Sequence, residues 1–257
     1  MRILFLGDVF AKSGRNAVVE RLPLLKADYN CDFVIVNGEN AAHGKGITKK
    51  IYQSLIDAGA DVVTLGNHAF SKSEIKESLE TCTSLVFPKN IEHEGNVPNY
   101  IIKEVNGKKV AVTNILGQVF MDCATTSPLE TMEDLLDEID ADIIIVDLHA
   151  EATSEKELFL RVYAHEVTAV IGTHTHVQTA DEKIFEGCAF ISDVGMCGPY
   201  DSVIGRDAEE IIRKIIKNEK THFTPGEGEA IICGCVIDID DETNRATNII
   251  RIQERPV

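Results

Sequence analysis

Ile143-Ile144-Ile145-Val146-Asp147-Leu148-His149 is the stretch on which the fold reading turns. Successive side chains of a strand point to opposite faces, so a run this continuously apolar has to be covered on both sides. Sheets covered by helices satisfy that requirement, which places the chain in the α/β class. Four other runs take the same form and also end in polar groups: Ile3-Leu4-Phe5-Leu6-Gly7-Asp8, Phe33-Val34-Ile35-Val36-Asn37-Gly38-Glu39-Asn40, Val62-Val63-Thr64-Leu65-Gly66-Asn67-His68 and Val170-Ile171-Gly172-Thr173-His174-Thr175-His176. Sites in open α/β sheets form at the carboxyl ends of strands, so five separate runs can deliver side chains to one crevice. Gly7, Gly38, Gly66 and Gly172 precede the polar groups, where the chain must turn sharply and let a ligand approach its backbone.

Outward from these runs, apolar periodicity predicts strands at 2–7, 33–37, 62–66, 100–104, 110–115, 143–148, 167–172, 189–193, 230–239 and 247–252. Helices are expected between them. Ser127-Pro128-Leu129-Glu130 reads as an N-cap, a first-turn proline and a capping-box Glu, and Ser71 with Glu74 and Ser154 with Glu157 repeat the spacing. A helix from Thr48 should close at Gly59, and the first helix, starting near Gly14, should kink or end at Pro23. Residues 100–115, turning at Asn106-Gly107, and 230–252, turning at 240–244, read as hairpins. Antiparallel strands thus join the α/β pattern. No linker-like or repetitive segment interrupts it, so residues 1–257 are expected to form a single domain.

Composition excludes several classes. A net charge of −17, with no cluster among its 25 Lys and Arg, argues against nucleic-acid binding, which needs a basic footprint to displace counterions. The opening apolar run meets Asp8 after about five residues without a cleavage site, so it reads as a strand rather than a leader. No run reaches the ~20 apolar residues of a membrane helix. Seven scattered cysteines without a C-x-x-C pair suit a reducing compartment, and the expected location is cytoplasmic. Cys233 and Cys235 fall on one strand face, as core thiols would.

The residues closing the five runs form a metal-binding vocabulary: Asp8, Glu39, Asn40, Asn67, His149, His174 and His176. Carboxylate, amide oxygen and imidazole are hard to borderline ligands, suited to Mn, Fe or Zn. His174 and His176 lie on one side of an extended segment, and a carboxylate such as Glu39 can bridge two ions. Two divalent cations would also hold a phosphate within an acidic protein. Each residue alone has an ordinary reading: Asp8 as a helix cap, Glu39-Asn40 as a turn, His68 and His149 as structural histidines. It is their joint occurrence that points to a site. His43, just beyond Glu39-Asn40, is a candidate substrate contact. The stretch from Gly38 to Gly46 imitates a P-loop, but five residues separate Gly38 from Gly44-Lys45 and Gly46 replaces the magnesium-binding hydroxyl.

Gly7-Asp8, Gly38-Glu39-Asn40, Gly66-Asn67-His68, His149 and Gly172-Thr173-His174-Thr175-His176, in this order, resemble the calcineurin-like metallophosphoesterases. The resemblance is closer to their bacterial YmdB-type branch, through residues 37–46, 149–156, 172–181 and 193–201. It implies a four-layer α/β/β/α sandwich of mixed sheets and phosphodiesterase activity on cyclic nucleotides, particularly 2′,3′-cyclic ones. It also implies two metal ions, Fe, Mn or Zn: one on Asp8, Glu39, Asn40 and His176, the other on Glu39, Asn67, His149 and His174, with Glu39 bridging. His68 would be the catalytic histidine outside the metal shell. Two positions depart from the broad family. Phe10 stands where most members have a histidine, a place Asn40 would fill, and Ala69-Phe70 follow His68 where an acidic residue usually orients it.

The expected chemistry is attack of a metal-bound hydroxide on phosphorus, in line with the leaving oxygen. Two alternatives stand beside it: a two-metal phosphomonoesterase or nucleotidase, and a regulatory protein that binds metal or nucleotide with little turnover. The expected partner is a small phosphodiester or nucleotide, with no stable nucleic-acid partner and no membrane. Self-association into a homo-oligomer is left open. The segment 193–201 is distinctive, as a wall of the site or a subunit contact.

Overall fold

Alternation of burial along the apolar runs builds four layers. The computed structural model describes residues 1–93 and 96–256. The chain begins β1 (Arg2–Leu6), β2 (Asp8–Val9), α1 (Ala11–Asp28), β3 (Phe33–Asn37), α2 (Lys49–Asp57), β4 (Val62–Thr64), α3 (Glu74–Glu77) and β5 (Leu85–Val86). It continues through β6 (Tyr100–Val105), β7 (Lys108–Leu116), α4 (Pro128–Glu138), β8 (Ile143–His149), α5 (Thr153–Tyr163), β9 (Ala169–Thr173), β10 (Lys183–Phe185) and β11 (Cys188–Ile191). Last come β12 (Met196–Pro199), α6 (Ala208–Ile215), β13 (Ala230–Ile239) and β14 (Ala246–Glu254). One sheet has the order β2-β12-β13-β1-β3-β4-β5, with β14 on β13, and the other β10-β11-β9-β8-β7-β6. Both are mixed: β1, β3, β4 and β5 run parallel, as do β7, β8, β9 and β11, while β13 lies antiparallel on β1 and β6 on β7.

Ile3 and Phe5 of β1 pack with Ile143 and Ile145 of β8 in the core between the sheets. Leu4 and Leu6 turn the other way, onto Val18, Leu22 and Leu25 of α1 and Leu55 of α2. Ile144, Val146 and Leu148 face Met132 and Leu135 of α4 and Phe159 and Leu160 of α5. The layers are therefore α/β/β/α, as expected. Among the described residues no helix is long and apolar enough to cross a membrane.

All ten expected strands form, and both hairpins close, with Asn106 at φ +50° and Gly107 at φ +77° in the first turn. The capping box at Ser127 and Glu130 is complete, and Thr48 caps α2. Other expectations fail for local reasons. Helix α1 starts at Ala11, and Gly14 is instead the point where it crosses β12, because a Cβ there would strike the Cys197 carbonyl. Pro23 lies inside α1 without ending it. The carbonyl left without a donor belongs to Val19, on the exposed face at 40% accessibility, where water can reach it. The spacings at Ser71 and Ser154 do not cap helices: α3 and α5 start at Glu74 and Thr153 without side-chain caps. Glu74 instead accepts from the Lys49 amide at 3.1 Å, and Glu157 pairs with Lys183. The short strands β2, β5, β10 and β12 were too brief to give a periodic signal.

The segment 193–201 is a brace. Val194 N–H donates to the Gly172 carbonyl at 2.8 Å, Asp8 N–H to the Gly195 carbonyl at 3.2 Å, and β12 pairs with β2. A Cβ on Gly7 would strike the Gly195 carbonyl, and one on Gly172 the Ser192 carbonyl just before the segment. Asp193 and Lys156 form a fully buried ion pair at 3.2 Å, with side chains 2% and 1% exposed. Asp193 also accepts from Thr175 N–H at 2.9 Å and Gly195 N–H at 2.9 Å, while Lys156 donates to the Thr173 carbonyl at 2.9 Å. The pair thus grips the backbone on both sides of His174.

These contacts set the expected response to substitution. Gly172→Ala should lower unfolding free energy by about 1–3 kcal/mol, because its Cβ meets backbone rather than a flexible side chain. An unshifted urea midpoint would show that the strands spread freely. Lys156→Met and Asp193→Ala should each cost about 3–5 kcal/mol, since each strands a buried charge, and the double variant less than their sum. Strict additivity in a denaturant double-mutant cycle would mean that the pair does not act as one unit.

Candidate metal centre

The ends of β1, β3 and β4 in one sheet and of β8 and β9 in the other bring all seven expected donors together. Glu39 Oε1 lies 3.2 Å from His149 Nε2, and His149 Nε2 lies 3.0 Å from Asn67 Oδ1 and 3.1 Å from His174 Nδ1. Ligand atoms of Glu39, His149 and His174 all fall within 4.8 Å of one another. On the other side of Glu39, Asn40 Nδ2 lies 3.2 Å from Glu39 Oε1, 3.5 Å from Asp8 Oδ1 and 3.0 Å from His176 Nε2. His176 Nε2 is 3.8 Å from Asp8 Oδ1. Two neighbouring clusters share Glu39. A Cβ on Gly66 would fall 2.5 Å from both Glu39 Oε2 and His149 Nε2, so glycine is what leaves the cluster room.

Outer hydrogen bonds decide which ring nitrogen each histidine presents. Thr173 Oγ1 donates to Asp147 Oδ1 at 2.7 Å, so its remaining capacity accepts the Nδ1–H of His149 at 2.8 Å. His176 Nδ1–H donates to the Ile204 carbonyl at 2.9 Å. His174 Nε2 faces Glu151 Oε2 at 3.2 Å. Each ring therefore turns its other nitrogen inward: Nε2 of His149 and His176, Nδ1 of His174. His174 and His176 have φ of +100° and +68°, a left-handed backbone that splays their rings toward the two clusters.

The carboxylates and imidazoles are strongly coupled. Burial alone would raise the Glu39 pKa, but His149 and the 2.8 Å bond from His68 N–H outweigh it and hold it at about 2. Burial alone would lower His149, but Glu39, Asp8 and Asp147 raise it to about 9. A cation would replace that proton. Burial and the neighbouring His149 push His174 down to about 3, and burial raises Asp8 and lowers His68. Asp147 is lifted to about 6 by burial, against the opposing pull of His149 and the bonds from Thr64, Thr173 and Asn37. The donor set fits a divalent cation: buried carboxylates, amide groups that can turn oxygen inward, and imidazoles already oriented by outer partners.

A cleft of about 270 Å³ opens onto this cluster, lined by His68, Lys45, Arg206 and Phe223 beside Glu39, Asn40, His174 and His176. His68 is anchored through its backbone N–H, and among the described residues its ring makes no hydrogen bond to a carboxylate. His43 is not part of the cleft. It is exposed at φ +60° and lines a separate depression with Lys12 and Asn16, because the loop turns at Gly44. Sequence reading assigned no role to Glu151, Asp147, Lys156 or Arg206. Glu151 and Lys156 fall within the 149–156 stretch that carries the resemblance and Asp147 adjoins it, but nothing in the sequence gives any of them a role, and nothing local marks Arg206.

Known proteins resemble this chain in sequence and fold. A family model described as YmdB-like protein matches residues 4–252. A 2′,3′-cyclic-nucleotide 2′-phosphodiesterase of Bacillus subtilis (strain 168) is 46% identical over 260 residues, covering 98% of this chain and 96% of its own. Two crystal structures superpose with TM-scores of 0.92: a phosphatase from Mycoplasma pneumoniae (38% identical, 99% of this chain and 93% of the other) and a hypothetical protein from Thermus thermophilus (36% identical, 99% of both). With the fold, the donor cluster and a match across nearly its whole length in agreement, the chain belongs to the YmdB-like family.

Proposed function

We infer that the chain is a dinuclear-metal phosphodiesterase that hydrolyses 2′,3′-cyclic nucleotides, with residues 1–257 serving as a single domain. The observation that carries the reading is the convergence of Glu39, His149 and His174 within 4.8 Å, next to a second cluster that shares Glu39. The name of the Bacillus subtilis relative supports the substrate class. In this reading Asp8, Glu39, Asn40 and His176 hold one ion and Glu39, Asn67, His149 and His174 the other, drawn from Fe, Mn or Zn. When bound, such a pair polarises phosphoryl oxygens and makes a nucleophilic oxygen available at neutral pH.

The protein's own groups do the remainder. His68 lines the cleft beside the ligands without belonging to them, so its ring is free to donate to a phosphoryl or leaving oxygen. Its backbone N–H bond to Glu39 couples its position to the bridging carboxylate. Lys45 supplies local positive charge to an anionic substrate in a chain of net charge −17, while Arg206, across the Phe223 ring from it, is held in an ion pair with Glu210 at 2.6 Å.

His68→Ala should cut kcat on 2′,3′-cyclic AMP by about 10²–10⁴-fold while both ions remain bound, measured by elemental analysis beside steady-state kinetics. Full activity in that variant would remove His68 from catalysis. His149→Ala or His174→Ala should instead deplete one ion of the pair in dialysed protein, and undiminished metal content would overturn the ligand assignment.

A further inference from the structure

Phe120 is 86% exposed, an unusual state for a ring of this size, and it lines a recess of about 360 Å³ together with Asn67, His174, Met121, Asp122 and Cys123. This recess shares His174 with the cleft that contains His68, so the two adjoin across a donor of the cluster. The ring is held up by a turn in which Met121 N–H donates to the Gln118 carbonyl at 3.1 Å, with Phe120 third in the turn at φ +63°. Glycine or asparagine normally occupies that position, and a bulky side chain is strained there. The Glu155 carboxylate accepts from Gln118 N–H at 2.9 Å and Val119 N–H at 3.3 Å, fixing the turn to the start of α5. A strained, anchored turn thus presents an uncovered aromatic face beside Asn67 and His174 of the donor cluster.

We propose that Phe120 is the stacking platform for the base of the substrate and that the recess beneath it receives the nucleoside. This deepens the cyclic-nucleotide reading above and rests on it. The recess lies in the ~300–1,000 Å³ range of ligand pockets. Stacking on one aromatic face accepts any base, so the platform sets nucleotide over base-free ester without selecting among purines and pyrimidines. The other aromatics near the cluster are already engaged. Phe223 is flanked by Lys45 and Arg206, at 5.8 and 4.8 Å, and Phe10 is 3% exposed with its ring against His176 and Phe223.

The decisive comparison uses 2′,3′-cyclic AMP and base-free ribose 2′,3′-cyclic phosphate on metal-loaded protein. Phe120→Gly removes the ring and suits the backbone, so it should be no less stable than the native chain. It should raise KM for the cyclic nucleotide by roughly tenfold or more, erasing the KM advantage over the base-free ester. Because the sequence contains no tryptophan, Phe120→Trp introduces a single indole that can be excited selectively over the five tyrosines. Its emission should be quenched by adenosine 2′-monophosphate and not by ribose phosphate. An advantage that persists in Phe120→Gly, with no base-dependent quenching in Phe120→Trp, overturns the stacking role while leaving the phosphodiesterase reading in place. A persisting advantage with an altered oligomeric state would assign Phe120 to a contact between copies and likewise overturn it. If the native enzyme hydrolyses neither ester, the phosphodiesterase reading falls, and base-dependent quenching alone then decides whether the platform stands.

Discussion

The buried pair between Lys156 and Asp193 holds together what the sheets alone do not. Strand β9 ends at Thr173, and beyond it two histidines must leave a left-handed backbone in order to face different clusters. Such conformations cost about 1–2 kcal/mol per residue for side chains other than glycine, so they persist only where neighbours over-determine them. Lys156 fixes the carbonyl before His174 and Asp193 fixes the amide after it, with each charge neutralised by the other. The placement of two of the seven donors, His174 and His176, is therefore set by a lysine and an aspartate that never reach the cluster.

A second layer of order comes from the groups behind the imidazoles. Three histidines meet three different outer acceptors: a threonine backed by Asp147, the carboxylate of Glu151 and the carbonyl of Ile204. Each fixes a tautomer in advance, so little reorganisation is needed when the inward nitrogens take up a cation. The carboxylates of the cluster itself, Asp8 and Glu39, are buried, while Glu151 behind His174 is half exposed and Lys45 lines the mouth as a counter-charge.

Strand ends were legible in the sequence because burial on both faces leaves a continuous apolar signature and the polar residues closing it stand out. Asp8, Glu39, Asn40, Asn67, His149, His174 and His176 were all visible in this way, and the structure brings them together. What escaped was tertiary in origin. Lys156 lies in an amphipathic helix, where a lysine reads as solvated, and only the packing of α5 against the loop after β9 buries it. Phe120 reads as one more apolar residue between elements, since exposure and backbone sign have no local signature. His43 shows the opposite failure: proximity in sequence to Glu39 suggested a role that a turn at Gly44 removes.

Strand order also bears on how the protein is made. β1 lies between β3 and β13, with Arg2 opposite Asp238, and β2 finds its partner in β12. Contacts of such sequence separation close late and slowly. During synthesis the first strand emerges long before its antiparallel neighbour, and the brace at 193–201 follows every donor it positions. A growing chain can thus assemble β3 and β4 early, but the complete cluster waits for nearly the full length of the polypeptide. A chain that stops short of residue 193 lacks the contacts that hold Asp8, Gly172 and the loop of His174, so the donor cluster is braced only once that segment is in place.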